Sequence, residues 1–479
     1  MTTKRIPTGI QGLDTILMGG LIANDTHLIY GTPGTGKTIL CHQICFNCIK
    51  AQNMQCLYLN LHTESPNEII SHLDPFTFYD KDCLPGSLYY IMAQGQIKKH
   101  GVRSLIKMIS ESIQLKQADI FIFEGIGNAL YQANSKFEFV DLITQIRSLG
   151  QMHTCTIILT NKQPQPDPAL TVVDSIIQLS DIILGPRATK QVTIHKTRGS
   201  AFMAGRHEVE LSSEGLRVYP QIESKIVPLS IVENGNSSRM STGVGGLDEM
   251  MGGGIPVRSS TTIVGMPGVG KTTLGLSFLL EGACRGQEGV YMGFLETPSQ
   301  LLRKTDSLNM PLRSMTEKGK IHMLWEAPHE LILDALAERL INVLKTRNGE
   351  GEMRVFIDGI EGFAMAAIYS ERIPLFFSAF LAHLRDCRAT TLISKNMPLF
   401  TPPQLVGQIE FTDQLIDSTI ILRYLRNKAH MCRFLSIVKM RESEYHANTR
   451  SFRIDKGGMS ICDIDEKTEE LLHGSSIQF

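Results

Sequence analysis

Gly31-Thr32-Pro33-Gly34-Thr35-Gly36-Lys37-Thr38 decides the fold, and the chain contains it twice. Gly265-Met266-Pro267-Gly268-Val269-Gly270-Lys271-Thr272 repeats the pattern 234 positions later. Both copies match G-x-x-x-x-G-K-[ST]. An apolar run of strand type precedes each, Leu28-Ile29-Tyr30 and Thr262-Ile263-Val264. Helically spaced residues follow each, from Thr38 to about Ile49 and from Thr272 to about Leu280. A strand, a glycine loop and a helix in that order make a phosphate cradle rather than a plain turn. The glycines let successive N–H groups turn toward phosphate oxygens, and the helix N-terminus adds its positive end. Lys37 and Lys271 are placed to reach the β- and γ-phosphates. Thr38 and Thr272 are placed to hold Mg²⁺, and Thr273 is counted with the second set of contacts. Two nucleoside triphosphate sites are expected.

The repeat extends outward from the loops. Thr8-Gly9-Ile10-Gln11-Gly12-Leu13-Asp14 with Gly19-Gly20 precedes the first, and Thr242-Gly243-Val244-Gly245-Gly246-Leu247-Asp248 with Gly252-Gly253-Gly254 precedes the second, again 234 apart. Each reads as a short helix carrying Leu and Asp, closed by a glycine turn. After the loop helices come the strands Cys56–Leu61 and Val290–Phe294, then Glu64 and Glu296 just before a [ST]-Pro helix start. A carboxylate at the C-terminal edge of a parallel sheet can take a proton from an attacking water or hydroxyl; the competing reading is a helix-start Glu serving only the dipole. The apolar runs Asp119–Glu124 and Arg354–Asp358 end in carboxylates 234 apart. Glu124 and Asp358 thus follow the Walker B pattern for orienting Mg²⁺, with Glu124 longer by one methylene.

Further strands are expected at Thr156–Asn161 and Thr390–Lys395, followed by loops near Gln163–Pro168 and Pro398–Gln404. Each half then ends in strand-rich sequence carrying a Lys-x-Arg pair: Lys196 with Arg198, and Lys439 with Arg441. Alternation places both cations of a pair on one strand face, where a solvated edge is the competing reading. Gln221 to Arg239 reads as a linker and Ser460 to Phe479 as a short charged extension. The predicted fold is α/β, with two tandem P-loop domains, 1–225 and 226–479, built on mainly parallel central sheets.

Composition bounds the rest. The 479 residues are 42% hydrophobic and 20% charged, with net charge −1, as in an ordinary soluble globular protein of two or three domains. No basic excess draws the chain toward nucleic acid, and the basic loop residues Lys162 and Lys395 add little to a DNA-binding reading. No apolar run is long enough for a membrane span, and the expected home is the cytoplasm. Ten cysteines lack C-x-x-C pairs. Cys41, Cys45 and Cys48 share a helix face with His42 nearby, and packing is the reading preferred over a metal.

These paired blocks, P-loops, strand-end glutamates and Lys-x-Arg strands resemble the KaiC family of cyanobacterial clock ATPases, and more broadly the RecA-type ATPases. The likeness runs from about Thr8 to Asp455; Asp417-Ser418-Thr419-Ile420-Ile421-Leu422-Arg423-Tyr424 carries the second-half signature. It implies RecA-like domains, ATP as ligand, and a homohexamer of two stacked rings with ATP between subunits. Lys196, Arg198, Lys439 and Arg441 would then reach the next subunit's ATP. It also implies a KaiB-like regulatory protein as partner, while the short C-terminal tail argues against a KaiA-type activator. Two departures matter. The family's first glutamate of each strand-end pair is replaced by Thr63 and Leu295. Its Ser-Thr phosphoacceptor pair falls on Asp413-Gln414, neither of which accepts phosphate. ATP hydrolysis is therefore the leading expectation; serine/threonine autokinase activity with a shifted acceptor at Thr412, Ser418 or Thr419 is the second.

Overall fold

The computed structural model describes residues 4–61, 66–93, 101, 104–132, 135–163, 172–184, 187–225, 238–327, 332–347, 351–397, 414–427, 430–441 and 444–462. Glu64, Thr412, Asp413, most of the two expected loops and of the linker, and residues beyond 462 lie outside these. The chain divides into two compact units, Met1–Lys225 and Ile226–Phe479.

The first unit is built on a nine-stranded sheet. Its order is Gly215–Tyr219, His207–Ser212, Arg187–Thr197, Ser175–Leu184, Thr26–Tyr30, Thr156–Asn161, Ile120–Glu124, Cys56–Asn60 and Leu88–Met92. The six strands from Ser175–Leu184 to Leu88–Met92 are parallel, and the three outer ones add on antiparallel. Strand alternation divides the core between the two faces. Ile120 and Ile122 pack with Leu40, Ile44 and Phe46 of the helix Lys37–Gln52. Phe121 and Phe123 pack on the other face with Ile109, Ile113, Ile143 and Ile146 from the helices Ser104–Lys116 and Lys136–Met152.

The second unit repeats this order: Ile321–Trp325, Gly289–Gly293, Met353–Asp358, Ala389–Asn396, Ser260–Gly265, Ser418–Asn427, His430–Met440, Arg450–Asp455 and Gly458–Cys462. Six strands are again parallel and three antiparallel. The α/β reading with mainly parallel central sheets holds. One element differs: Ser460, Ile461 and Cys462 belong to the outer strand Gly458–Cys462, paired with Arg450–Asp455, rather than to a loose extension.

The Thr-Gly-x-x-Gly-Leu-Asp block is a small clasp in each unit. Asp14 accepts from Thr8 N at 2.8 Å and Thr8 Oγ1 at 2.7 Å; Asp248 accepts from Thr242 N at 2.7 Å and Thr242 Oγ1 at 2.6 Å. Gly12, at φ 80°, admits no other residue, because a Cβ would stand 1.9 Å from Val218 O. The clasp delivers the chain to the strand that ends in the phosphate loop.

Candidate nucleotide sites

The first loop leaves the C-terminal end of Thr26–Tyr30, at the centre of the sheet, where ligands of parallel sheets bind. Gly31 lies against the neighbouring strand, where a Cβ would meet Leu179 O at 2.0 Å. Thr32, Pro33 and Gly34 form the exposed apex, and Gly34 has open space where a side chain would be. Thr35 is buried and its hydroxyl donates to Thr32 O at 2.9 Å, tightening the turn. Gly36, at φ 98°, caps the helix Lys37–Gln52. Lys37 is folded into the loop, donating to Gly31 O and Thr32 O, both at 2.7 Å, and to Thr35 Oγ1 at 3.2 Å. Burial, helped by Lys162, pushes its ammonium down to about 8. The next residue, Thr38, donates to Glu124 Oε1, and Tyr58 donates to the other carboxylate oxygen at 2.8 Å.

The second loop repeats this geometry. Gly265 packs where a Cβ would stand 2.7 Å from Leu422 O; Met266, Pro267 and Gly268 form the apex; Val269 is buried, and Gly270 at φ 124° caps the helix Lys271–Cys284. Lys271 donates to Gly265 O at 2.8 Å and Met266 O at 3.0 Å. Burial lowers its pKa as well. Thr272 donates to Asp358 Oδ2 at 2.9 Å, with Tyr291 OH at 3.3 Å and Ser394 Oγ on Oδ1 at 2.8 Å. Thr273 is buried along the helix. Burial raises Asp358 despite the hydroxyls of Ser394 and Thr272. A hard cation suits such a carboxylate, because it offsets the desolvation and finds two oxygen donors already side by side. Thr38 with Glu124 and Thr272 with Asp358 therefore fit Mg²⁺ in kind.

Glu296 stands past the end of Gly289–Gly293 and is ion-paired to Lys304, at 2.9 and 3.3 Å. Its counterpart Glu64 lies outside the described residues. The Lys-x-Arg pairs lie at the opposite end of the sheets. Lys196 pairs in register with Ile176, and the strand of Ile176 runs parallel to Thr26–Tyr30, with Ser175 level with His27. Arg198 therefore sits beside the first residue of the loop strand, about 16 Å of extended chain from its own Gly31. Lys439 is likewise level with Thr419 and Thr262, at the foot of the second sheet. The strands end at Thr197 and Met440, so each arginine stands one residue beyond its strand. The ammonium groups fold onto carbonyls, Lys196 to Val173 O at 2.7 Å and Lys439 to Ile416 O. Arg441 donates to Gln414 O.

The model of the KaiC ATPase family matches residues 6–223 and again 240–466. The chain belongs to the KaiC ATPase family. Its curated relatives include the circadian clock oscillator protein KaiC of Picosynechococcus, 26% identical over 493 residues that cover 98% of this chain and 92% of the relative. KaiC of Rippkaea orientalis and KaiC 1 of Synechocystis are each 25% identical, over 98% of this chain and 91% and 92% of their own lengths.

Other family features take a definite place. Ser418, one of the alternative acceptor hydroxyls, is fully buried at the start of its strand. Cys41, Cys45 and Cys48 are buried with Leu40, Ile44 and Phe46, and burial pushes the Cys48 thiol up to about 12, which suits packing. Among the described residues no helix is long and apolar enough to cross a membrane. Sequence reasoning passed over Lys304 and also Tyr58 and Tyr291, which donate to the strand-end carboxylates Glu124 and Asp358. For Tyr58 and Tyr291 a signal was present: both are central residues of corresponding strands.

Proposed function

We propose that the chain binds ATP with Mg²⁺ at both P-loops, hydrolyses it within a homohexamer of two rings, and signals through its nucleotide state. One observation carries this reading. In both halves the loop lysine is folded onto the loop carbonyls and the adjacent threonine is bonded to the strand-end carboxylate. The same wiring formed twice is a working site used twice. At neutral pH Lys37 lies below its depressed pKa of about 8 and carries its proton, so it can exchange carbonyl partners for phosphate oxygens. Glu296, released from Lys304, orients or deprotonates the attacking water; Glu64 takes that role in the first half. Thr38 with Glu124 and Thr272 with Asp358 would hold Mg²⁺, which would supply neutralisation of phosphate charge there. Arg198 and Arg441, out of reach of their own loops, complete the site of a neighbouring copy, where a guanidinium stabilises charge on the transferring phosphoryl group.

The autokinase reading is weaker in this chain, because Ser418 is buried and Gln414 cannot accept phosphate. A KaiB-like protein remains the proposed partner on family grounds. Lys37→Ala combined with Lys271→Ala should abolish phosphate release; undiminished turnover by the folded double variant overturns the mechanism. Labelled ATP followed by mass spectrometry should find no phosphopeptide spanning 412–419.

A further inference from the structure

One carboxylate in each unit gathers the foot of the loop strand, a neighbouring helix and the Lys-x-Arg strand. Asp174 is buried; its Oδ2 accepts from Thr26 N at 3.1 Å and from Arg147 Nε at 3.1 Å. Its Oδ1 lies 2.7 Å from Arg147 Nη2 and 3.5 Å from Arg198 Nη1. The main chain joins the same partners, Asp174 N to Thr26 O at 3.0 Å and Arg198 N to Asp174 O at 3.0 Å. In the second unit Asp417 Oδ2 accepts from Ser260 N and from Arg385 Nη2, both at 2.8 Å, and Oδ1 lies 4.0 Å from Arg441 Nη1. Asp417 N donates to Ser260 O and Arg441 N to Asp417 O, both at 2.9 Å.

The spacing from carboxylate to arginine is 24 residues in both units, although Asp174 and Asp417 are 243 apart rather than the 234 that separates the loops. Nine additional residues have entered upstream, and the same network re-forms around them. A carboxylate needed only to close the sheet would be satisfied by the backbone N–H and one arginine. In the second unit a single carboxylate is shared by two guanidiniums, whereas in the first Asp25 adds a second carboxylate beside Arg147 and Arg198. The arginine of the Lys-x-Arg pair is the more exposed partner in both units: the side chain of Arg198 is 50% exposed against 32% for Arg147, and that of Arg441 51% against 38% for Arg385. Arg198 and Arg441 are held at the foot of the sheet yet stay half-exposed.

We propose that Asp174 and Asp417 are positioning residues that set Arg198 and Arg441 at the foot of each sheet to meet the triphosphate of a neighbouring copy of this chain. The proposal rests on those arginines acting in trans. Pre-setting a guanidinium removes the need to order it during turnover, and a misplacement of about 1 Å can cost up to a hundredfold in rate.

The test measures ATP turnover and melting of the full chain carrying Lys37→Ala, so that only the second site turns over. Asp417→Asn, which keeps an acceptor for Ser260 N, should lower kcat about tenfold with little change in KM. Added to Arg441→Ala it should lower kcat no further, whereas a purely structural role would act in either background. Should Asp417→Asn fail to melt cooperatively, Asp417→Glu reads the same coupling with the charge retained but displaced. An unchanged kcat in Asp417→Asn, or an equal further loss in the Arg441→Ala background, overturns the positioning role. An Arg441→Ala variant with full turnover overturns the trans reading itself.

Discussion

At the scale of single residues the two units differ most beside their matched carboxylates. Asp25 precedes Thr26 in the first unit, where the second has Ser259. Burial and the nearby Asp174 raise Asp25 to about 6, although Arg147 and Arg198 pull it down. Its unfolded value is near 3.8. Between these values the folded chain binds more protons than the unfolded one, so stability falls as pH rises through that window and the penalty is complete above about 6. Asp25→Asn removes the penalty. Because Asp25 is partly solvated, the gain is discounted to about 1 kcal/mol, a rise of about 2–4 °C in melting temperature at pH 8, and little change near pH 4. Calorimetry at the two pH values checks this; an equal shift at both would assign the effect to packing instead of charge.

At the scale of elements, what was legible depended on whether the signal ran along the chain or across it. The loops, their helices and the strand-ending Glu124 and Asp358 were readable because each is a local pattern repeated at one offset. The contacts that complete the sites come from elsewhere: Ser394 from another strand, Lys304 from a helix face. Periodicity says which face such residues occupy, not what faces them. The arginines of the Lys-x-Arg pairs come one residue after their strands, yet Arg198 N and Arg441 N still bond across to Asp174 O and Asp417 O, the residues opposite them. The helix Pro298–Ser307 illustrates the cross-chain case. Thr297 and Gln300 form a capping box, fixing the helix start directly after Glu296, and Lys304 reaches back to that carboxylate. The ammonium occupies lone pairs that Glu296 must free to act as the proposed general base. Both groups are well exposed, so the pair contributes at most about 1 kcal/mol, or about fivefold in rate. Lys304→Met in the Lys37→Ala background should raise kcat by up to about that factor. A loss of turnover would instead make Lys304 a helper of Glu296.

At the scale of the whole molecule, the proposed trans reading makes each chain a carrier of two incomplete sites. Each sheet presents its phosphate loop at one end and its Lys-x-Arg residues at the other, about 16 Å of extended strand apart. No rotamer of Arg198 or Arg441 spans that distance to its own loop, so on the proposed reading a lone chain binds nucleotide through Lys37 and Lys271 yet lacks the guanidinium that phosphoryl transfer calls for. Assembly and turnover are then linked: ligand held between copies stabilises the assembly by mass action, and dilution dissolves the sites along with it. Turnover per chain should therefore fall on dilution, in step with the loss of hexamer measured by native mass spectrometry in ATP, and the hexamer should be less populated in ADP. Arg198→Ala with Arg441→Ala should retain nucleotide binding while losing about a hundredfold or more in kcat. Constant turnover per chain down to concentrations at which only monomers remain would place the whole reaction within one copy, and the far-edge arginines would then be part of the scaffold alone.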